Sequence, residues 1–144
     1  MFNKSLPSAN YTLTSSSSSV TELKQQLLES LRLRVLDIPQ PPSSEPTSNA
    51  RVAVLFSGGL DCTVLARLAH DLLEPHEEID LVNVAFENPR VIGQLEKETG
   101  GKLTNFYEAC PDRITGRKSL AELERVCPGR AFRFLAVGGL RHPL

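Results

Sequence analysis

Residues 51–63 read RVAVLFSGGLDCT, and this stretch decides the fold class. Its apolar part, residues 52–56, is continuous and contains β-branched residues, which predicts a buried strand. Ser57-Gly58-Gly59 ends the run, and apolar residues then recur at helical spacing from Thr63 to Leu73. A second apolar run, Ile79 to Phe86, predicts another strand. A strand, a glycine turn, a helix and a strand in this order form a βαβ unit, which predicts an α/β fold with a parallel sheet.

Weaker patterns continue the α/β order toward the end of the chain. Residues 88–101 begin with Asn-Pro and end with Gly-Gly, which predicts a helix. Residues 103–107 predict a weak strand. Residues 119–122 have the spacing of a capping box and predict a short helix that ends at Pro128-Gly129. Residues 132–137 are mainly apolar and predict a third strand.

The first fifty residues differ in composition from the rest of the chain. They contain 11 of the 13 serines and none of the nine glycines. Apolar residues recur at three- and four-residue steps from Val20 to Val35, after a capping box formed by Ser19 and Glu22. This stripe is expected to pack in the core, and contact with a partner helix is the alternative. The predicted organisation is a disordered polar tail (1–18), a helix (19–38), a Pro/Ser linker (39–50), a partial α/β domain (51–137) and a second tail (138–144).

Composition argues against several classes of function. The net charge is −1, with 16 Lys+Arg and 17 Asp+Glu, which does not suit a protein bound mainly to a nucleic-acid backbone. No apolar run approaches the roughly 18 residues of a membrane span. The first ten residues lack the apolar core of a secretory signal. The three cysteines have neither disulfide-framework nor zinc-ligand spacing, so we expect free thiols and a cytoplasmic protein.

The loop at residues 57–63 has the chemistry of an anion-binding site. Its two glycines let the backbone approach a ligand closely, and the first N–H groups of the following helix lack acceptors. Ser57 and Thr63 add hydroxyl donors. Asp61 would repel an anion unless a cation such as Mg²⁺ joined the two. The Walker, dinucleotide and nucleophile-elbow motifs are absent from the sequence. The alternative interpretation is a simple turn, with Asp61 as a helix-start charge.

The string SGGLDC at residues 57–62 resembles the S-G-G-x-D-[ST] signature of the ATP pyrophosphatases, or PP-loop enzymes. These enzymes cleave ATP between the α and β phosphates and adenylylate a substrate carbonyl or carboxyl group. The resemblance implies an adenine nucleotide alpha hydrolase-like fold, with Mg²⁺ at Asp61. Cys62 stands where the family usually has Ser or Thr, and a thiol is a weaker donor than a hydroxyl. The predicted ATP-binding residues are Ser57, Gly58, Gly59, Asp61, Cys62 and Thr63.

Longer strings resemble one branch of the asparagine synthetase family. They are residues 79–89 (IDLVNVAFENP), 110–117 (CPDRITGR) and 126–135 (VCPGRAFRFL), together with the helix before the loop. The resemblance implies an ATP-dependent, AMP-forming amidoligase of asparagine biosynthesis. In such enzymes a glutaminase half supplies ammonia, which displaces AMP from β-aspartyl-AMP. It also implies that the strand backbone near Val82 to Val84 contacts adenine, and that ATP and aspartate are the ligands.

Two parts of a complete synthetase are absent from this sequence. Position 2 is Phe2 rather than the cysteine nucleophile of a glutaminase, and no S-G-x-G-x-D-E string follows the first loop. We therefore expect an incomplete domain that is inactive alone and marginally stable. Two alternatives remain open. One is a catalytically inactive nucleotide-binding or interaction module, which Cys62 favours, and the other is a different PP-loop ATP pyrophosphatase.

Asp112, Arg113 and Arg117 are expected to lie on a glycine-containing loop. There they either contact the substrate or a phosphate, or hold the loop through local salt bridges. Cys62 is a candidate reactive thiol because it lies at a helix N-terminus, although a structural role is the simpler interpretation. The three histidines are isolated in the sequence and receive no role.

Overall fold

The computed structural model describes residues 12–39, 50–86, 93, 97 and 106–139. Its helices and strands are α1 (Ser18–Val35), β1 (Val52–Leu55), α2 (Leu60–Leu72), β2 (Ile79–Phe86), α3 (Pro111–Val126) and β3 (Phe132–Gly139). Most of the predicted helix over residues 88–101, of the linker and of both tails lies outside the described residues, and the two described positions of that helix, 93 and 97, are helical. Phe106 and Tyr107, the end of the predicted weak strand, form a turn instead.

The three strands form one parallel sheet in the order β1-β2-β3. Leu55 pairs with Val82, and Val82 pairs with Leu135. These three residues therefore form one row across the sheet. Each connection moves one strand further in the same direction, and right-handed crossovers then place both helices on one face. Consistent with this, α3 packs against β2 and β3 and also contacts α2. The predicted parallel α/β arrangement is confirmed.

Only one face of the sheet is buried by the described residues. Alternate residues of β2 are buried, including Ile79, Leu81 and Ala85, while the residues between them are partly exposed. The buried set packs with Phe56 at the end of β1 and with Leu123 of α3. The sequence of β2 is almost entirely apolar, but its burial alternates, as in a strand with one covered face.

The opposite face of the sheet carries exposed apolar side chains. Leu55 is 79% exposed, Phe86 71% and Val137 44%, counting burial by the described part of the chain. Such a surface lowers the free energy of unfolding and promotes association. We therefore predict that the 144-residue chain melts over a broad range of temperature and binds the dye ANS.

The origin of the dye binding can be tested with a matched pair of variants. Leu55→Lys should reduce ANS fluorescence, whereas Leu33→Lys, on the exposed side of α1, should not change it. Calorimetry and ANS fluorescence provide the measurements. A sharp cooperative transition without ANS binding would contradict the prediction.

All three described helices begin earlier than the sequence predicted. Helix α1 begins at Ser18 with Ser17 at the N-cap, so Ser19 lies inside its first turn. Its apolar stripe packs in part, because Val35 is buried whereas Leu23 is exposed. Helix α2 begins at Leu60 rather than Thr63, and the second half of the glycine loop therefore forms its first turn.

The prediction for α3 was wrong at its start. The helix begins at Pro111, eight positions before the expected capping box at residue 119. Proline suits the first helical position because its fixed φ is already helical and its missing N–H has no role there. Gly116 inside the helix had favoured a loop, but here the absence of a side chain allows close packing. Arg113 and Arg117 consequently lie on a helix, not on a loop.

Arg130 connects the end of α2 to the start of β3. It is 7% exposed, and its guanidinium donates to the carbonyl oxygens of His70, Leu73, Glu74 and Glu77 at 2.5–3.0 Å. Its Nε also donates to His70 Nδ1 at 3.1 Å. Burial, with the nearby Arg130 charge, lowers the pKa of His70. His70, which had no predicted role, thus accepts a hydrogen bond as a neutral side chain.

Candidate functional site

The glycine loop lies where β1 ends and α2 begins, at the carboxyl edge of the sheet. Phe56 N–H bonds Val82 O at 2.8 Å and fixes the chain to β2 just before the loop. Gly58 then has φ +84°, a conformation that glycine adopts easily and other residues rarely do. In open α/β sheets this edge is where ligands bind. The loop therefore has the location of a ligand site as well as its composition.

The start of α2 presents backbone donors at the loop. The first helical bond runs from Thr63 N–H to Gly59 O at 3.2 Å. The N–H groups of the three residues before Thr63 have no acceptor within the helix. No side chain caps the helix at its N-cap, Gly59. The positive end of the helix dipole is thus available to an anion.

The loop side chains form a local hydrogen-bond network. Thr63 Oγ1 donates to Gly59 O at 2.7 Å, and Cys62 Sγ donates to the same oxygen at 3.2 Å. Ser57 Oγ accepts from Gly59 N–H at 3.3 Å and lies 3.7 Å from Cys62 Sγ. The Thr63 hydroxyl was expected to donate to a ligand, but in the structure it donates within the loop. Asp61 is exposed in the first turn of α2.

Helix α3 packs directly beneath the loop. A Cβ added to Gly58 would lie under 3.0 Å from the backbone nitrogen of Gly116, so the two backbones nearly touch. Ser119 Oγ donates to Gly58 O at 2.7 Å. Neither contact was foreseen from the sequence, because each joins positions about sixty residues apart. The predicted site thus includes a helix that sequence reasoning had not assigned to it.

Asn83 links the loop, β2 and α3. Its side chain is 0% exposed, and Nδ2 donates to Phe56 O at 2.7 Å and to Asp112 O at 3.0 Å. The sequence signal was available, because Asn83 is a polar residue within an apolar strand. Buried amides of this kind are normally hydrogen-bonded. Here the bonds fix the residue before the loop to the first turn of α3.

The arginines of α3 are engaged with neighbouring protein groups. Arg113 is 1% exposed, and its Nη2 donates to Val137 O at 2.9 Å. Arg117 forms two bonds with Glu108 at 2.7 and 2.9 Å, which lowers the pKa of that carboxyl group. Both guanidinium groups lie over the Phe134 ring. These contacts agree with the salt-bridge alternative for Arg113 and Arg117.

An open groove of about 300 Å³ adjoins the loop on the uncovered face of the sheet. It is lined by Leu55, Phe56, Ser57, Val82 and Val84. Apolar walls with a polar end at Ser57 are typical of small-molecule sites. The strand segment Val82 to Val84, which the resemblance implies as an adenine contact, therefore borders the glycine loop.

The structure tests the expected metal and thiol chemistry in part. In the described ranges there is no group of three or more His, Cys, Asp or Glu side chains that could hold a metal ion. Magnesium is often bound by one or two carboxylates together with phosphate oxygens, so Asp61 fits that arrangement. All three cysteines are free, and burial raises the pKa of the thiols of Cys110 and Cys127.

None of the helices that the structure describes has the length and apolar content to cross a membrane.

The observed architecture defines a class: a parallel α/β unit with a glycine-rich loop between its first strand and the following helix. Comparison with known proteins then gives the family. An asparagine synthetase domain-containing protein of Drosophila melanogaster is 39% identical over 98 residues, or 68% of this chain and 16% of the relative. Asparagine synthetase domain-containing protein 1 of Bos taurus is 34% identical over an alignment of 141 residues, which covers 77% of this chain and 22% of the relative. The chain belongs to this family of asparagine synthetase domain-containing proteins.

The similarity extends to fungi and covers a limited part of each relative. The Saccharomyces cerevisiae asparagine synthetase domain-containing protein is 30% identical over 125 residues, or 83% of this chain and 22% of the relative. The chain thus spans between 16% and 22% of the length of these three relatives. No family model and no solved structure matches the chain.

Proposed function

We propose that this chain carries the ATP-binding loop of an asparagine-synthetase-type, AMP-forming amidoligase. The observation that carries the proposal is the uncapped start of α2 behind Gly58, at the carboxyl edge of a parallel sheet. Membership of a family named for the asparagine synthetase domain supports the same chemistry. The proposed substrates are ATP and aspartate, and the proposed pathway is asparagine biosynthesis.

Each part of the loop has a role in this proposal. The backbone N–H groups at the start of α2 bind the β and γ phosphates, and Gly58 and Gly59 allow them to approach the backbone closely. Asp61 holds Mg²⁺, which neutralises phosphate charge when bound. The apolar groove beside Ser57 accepts the adenine ring along Val82 to Val84. Fixed donors aimed at the leaving pyrophosphate would stabilise the charge that develops on it.

A nucleotide-binding module without catalysis is the second candidate, and Cys62 favours it. The thiol occupies the position of a hydroxyl in the S-G-G-x-D-[ST] signature, and it donates to Gly59 O within the loop. A thiol is a weak donor and would bind a phosphate oxygen less well than a hydroxyl. This arrangement can bind ATP without stabilising pyrophosphate departure.

The Asp61→Ala variant tests the loop assignment. We expect its affinity for Mg·ATP to fall at least about tenfold, because a charged ligand of the cation is lost. Asp71→Ala is the matched control, since Asp71 lies near the other end of α2 and pairs with Arg67 on the surface. Calorimetric titration with Mg·ATP, and with ATP plus EDTA, provides the measurement. Equal affinities for Asp61→Ala and the parent chain would show that the loop assignment is wrong.

Catalysis is tested separately by ATP–pyrophosphate exchange. Exchange that depends on aspartate would support the amidoligase, and exchange that depends on another acceptor would support a different PP-loop ATP pyrophosphatase. Mg·ATP binding without exchange would support the nucleotide-binding module. Restoring the hydroxyl with Cys62→Ser then asks whether the thiol limits phosphate binding, because the two side chains differ by one atom.

A further inference from the structure

The peptide between Gly58 and Gly59 has a fixed orientation in the loop. The Gly58 carbonyl oxygen points toward α3, where it accepts the Ser119 hydroxyl at 2.7 Å. In a trans peptide the N–H points opposite to the carbonyl. The Gly59 N–H therefore points away from α3, toward Ser57 Oγ at 3.3 Å. The peptide thus keeps its acceptor on the α3 side of the loop, while its donor bonds to Ser57 within the loop.

The same peptide would rotate easily without an external contact. It is flanked by two glycines, whose φ and ψ angles are little restricted by sterics. Rotation of the peptide plane by half a turn would exchange the two groups and present the Gly58 carbonyl to the ligand. An anion would then meet a negative dipole. The loop therefore needs a contact that selects one orientation.

The surface of α3 is shaped to supply that contact. Gly116 has no side chain, so the helix backbone can approach Gly58 closely. Ser119 lies three residues later, which places it on the same side of the helix and within reach of the Gly58 oxygen. Asn83 fixes Phe56 to the beginning of the same helix. The loop is thus held against α3 before and within its glycine turn.

We infer that Ser119 is a positioning residue for anion binding, because its hydroxyl holds the Gly58 carbonyl oxygen against α3 and so keeps this acceptor away from the ligand. The inference rests on the proposed function, since it names a residue that acts through the same loop. Ser119 does not contact the ligand. It acts through the Gly58 carbonyl, 61 residues earlier in the chain.

The test compares side chains at position 119 in the full 144-residue chain. We expect Ser119→Ala to bind magnesium pyrophosphate about fivefold to tenfold more weakly, as for the loss of one hydrogen bond. Ser119→Thr keeps the hydroxyl and should restore most of the affinity. Ser119→Cys keeps the size with a weaker donor, and it replaces the alanine variant if that variant does not fold. Glu124→Ala, which removes an exposed side chain near the other end of the same helix, is the control.

A second readout reports the peptide orientation without any ligand. In ¹⁵N-labelled protein the Gly59 amide resonance should move in Ser119→Ala and return in Ser119→Thr. Unchanged affinity together with an unchanged Gly59 resonance would overturn the inference. If the parent chain itself binds no pyrophosphate, the proposed function fails. The Gly59 resonance then tests only whether Ser119 sets the peptide orientation: a shift in Ser119→Ala would support that part, and an unchanged resonance would overturn the inference.

Discussion

Gly58→Ala is expected to leave the chain without a folded baseline in a urea titration. Alanine at φ +84° costs about 1–2 kcal/mol from contact between Cβ and the carbonyl oxygen. The new Cβ would also lie under 3.0 Å from the Gly116 backbone, and a helix backbone cannot move as a flexible side chain can. Such overpacking adds about 1–3 kcal/mol. The conformational and overpacking costs together are comparable to the entire free energy of unfolding expected of a small, partly uncovered sheet.

Gly129→Ala is the matched control for this prediction. Gly129 has φ +82°, but a Cβ there would meet no atom within 4 Å. It should therefore lose only about 1–2 kcal/mol, the conformational part of the cost. Both variants are measured by circular dichroism during urea titration, with trimethylamine N-oxide at a fixed concentration to strengthen the folded state. Equal midpoints for the two variants would show that the close approach of α3 to the loop is not present in solution.

Arg130→Ala is expected to destabilise the fold by at least about 3 kcal/mol, because buried carbonyl oxygens lose a charged donor. Four carbonyl groups from the end of α2 and the turn after it accept bonds from this one guanidinium. Alanine supplies no donor, and the site is largely closed to water, since Arg130 is 7% exposed. Arg130→Lys should recover part of the loss, because an ammonium group cannot reach all four oxygens.

Arg125→Ala is the control for Arg130. Arg125 is at the end of α3, its side chain is 73% exposed, and it pairs with Glu122 at 3.9 Å. Exposed pairs of this kind contribute about 0–1 kcal/mol, so its urea midpoint should hardly change. Amide hydrogen exchange then locates the damage, which should be concentrated in the last turn of α2 for Arg130→Ala. If Arg130→Ala lowers the free energy of unfolding no more than Arg125→Ala does, water replaces the guanidinium at little cost.

The sequence predicted the parts of the fold that depend on neighbouring residues. Both strands of the βαβ unit were visible as apolar runs, and the loop as a glycine pair between a strand and a helix. The third strand was found as well, although it runs to Gly139 rather than Val137. The start of α3 was missed because two local signals competed, Pro111 and the capping box at Ser119. Proline fixed the start, and Ser119 instead donates to the glycine loop.

The surroundings of the loop could not be predicted in this way. Asn83 was visible as a polar residue in an apolar strand, but its acceptors lie 27 and 29 positions away in the chain. The approach of Gly116 to Gly58 likewise depends on how two crossovers pack on one sheet. No local pattern contains that information. The roles of the loop residues in ATP binding stay predictions until the binding measurements are made.

The bonds of Arg130 have a consequence for how the chain folds during synthesis. The carbonyl groups that they satisfy are made 53 to 60 positions earlier than Arg130 itself. A nascent chain that stops before β3 therefore contains α2 with an unfinished end, and β2 with one neighbour missing. The first crossover gains its last hydrogen bonds only after nearly the entire described chain has been made. Folding of this unit is accordingly expected to be one concerted event that waits for β3, not a stepwise addition of strands from the N-terminus.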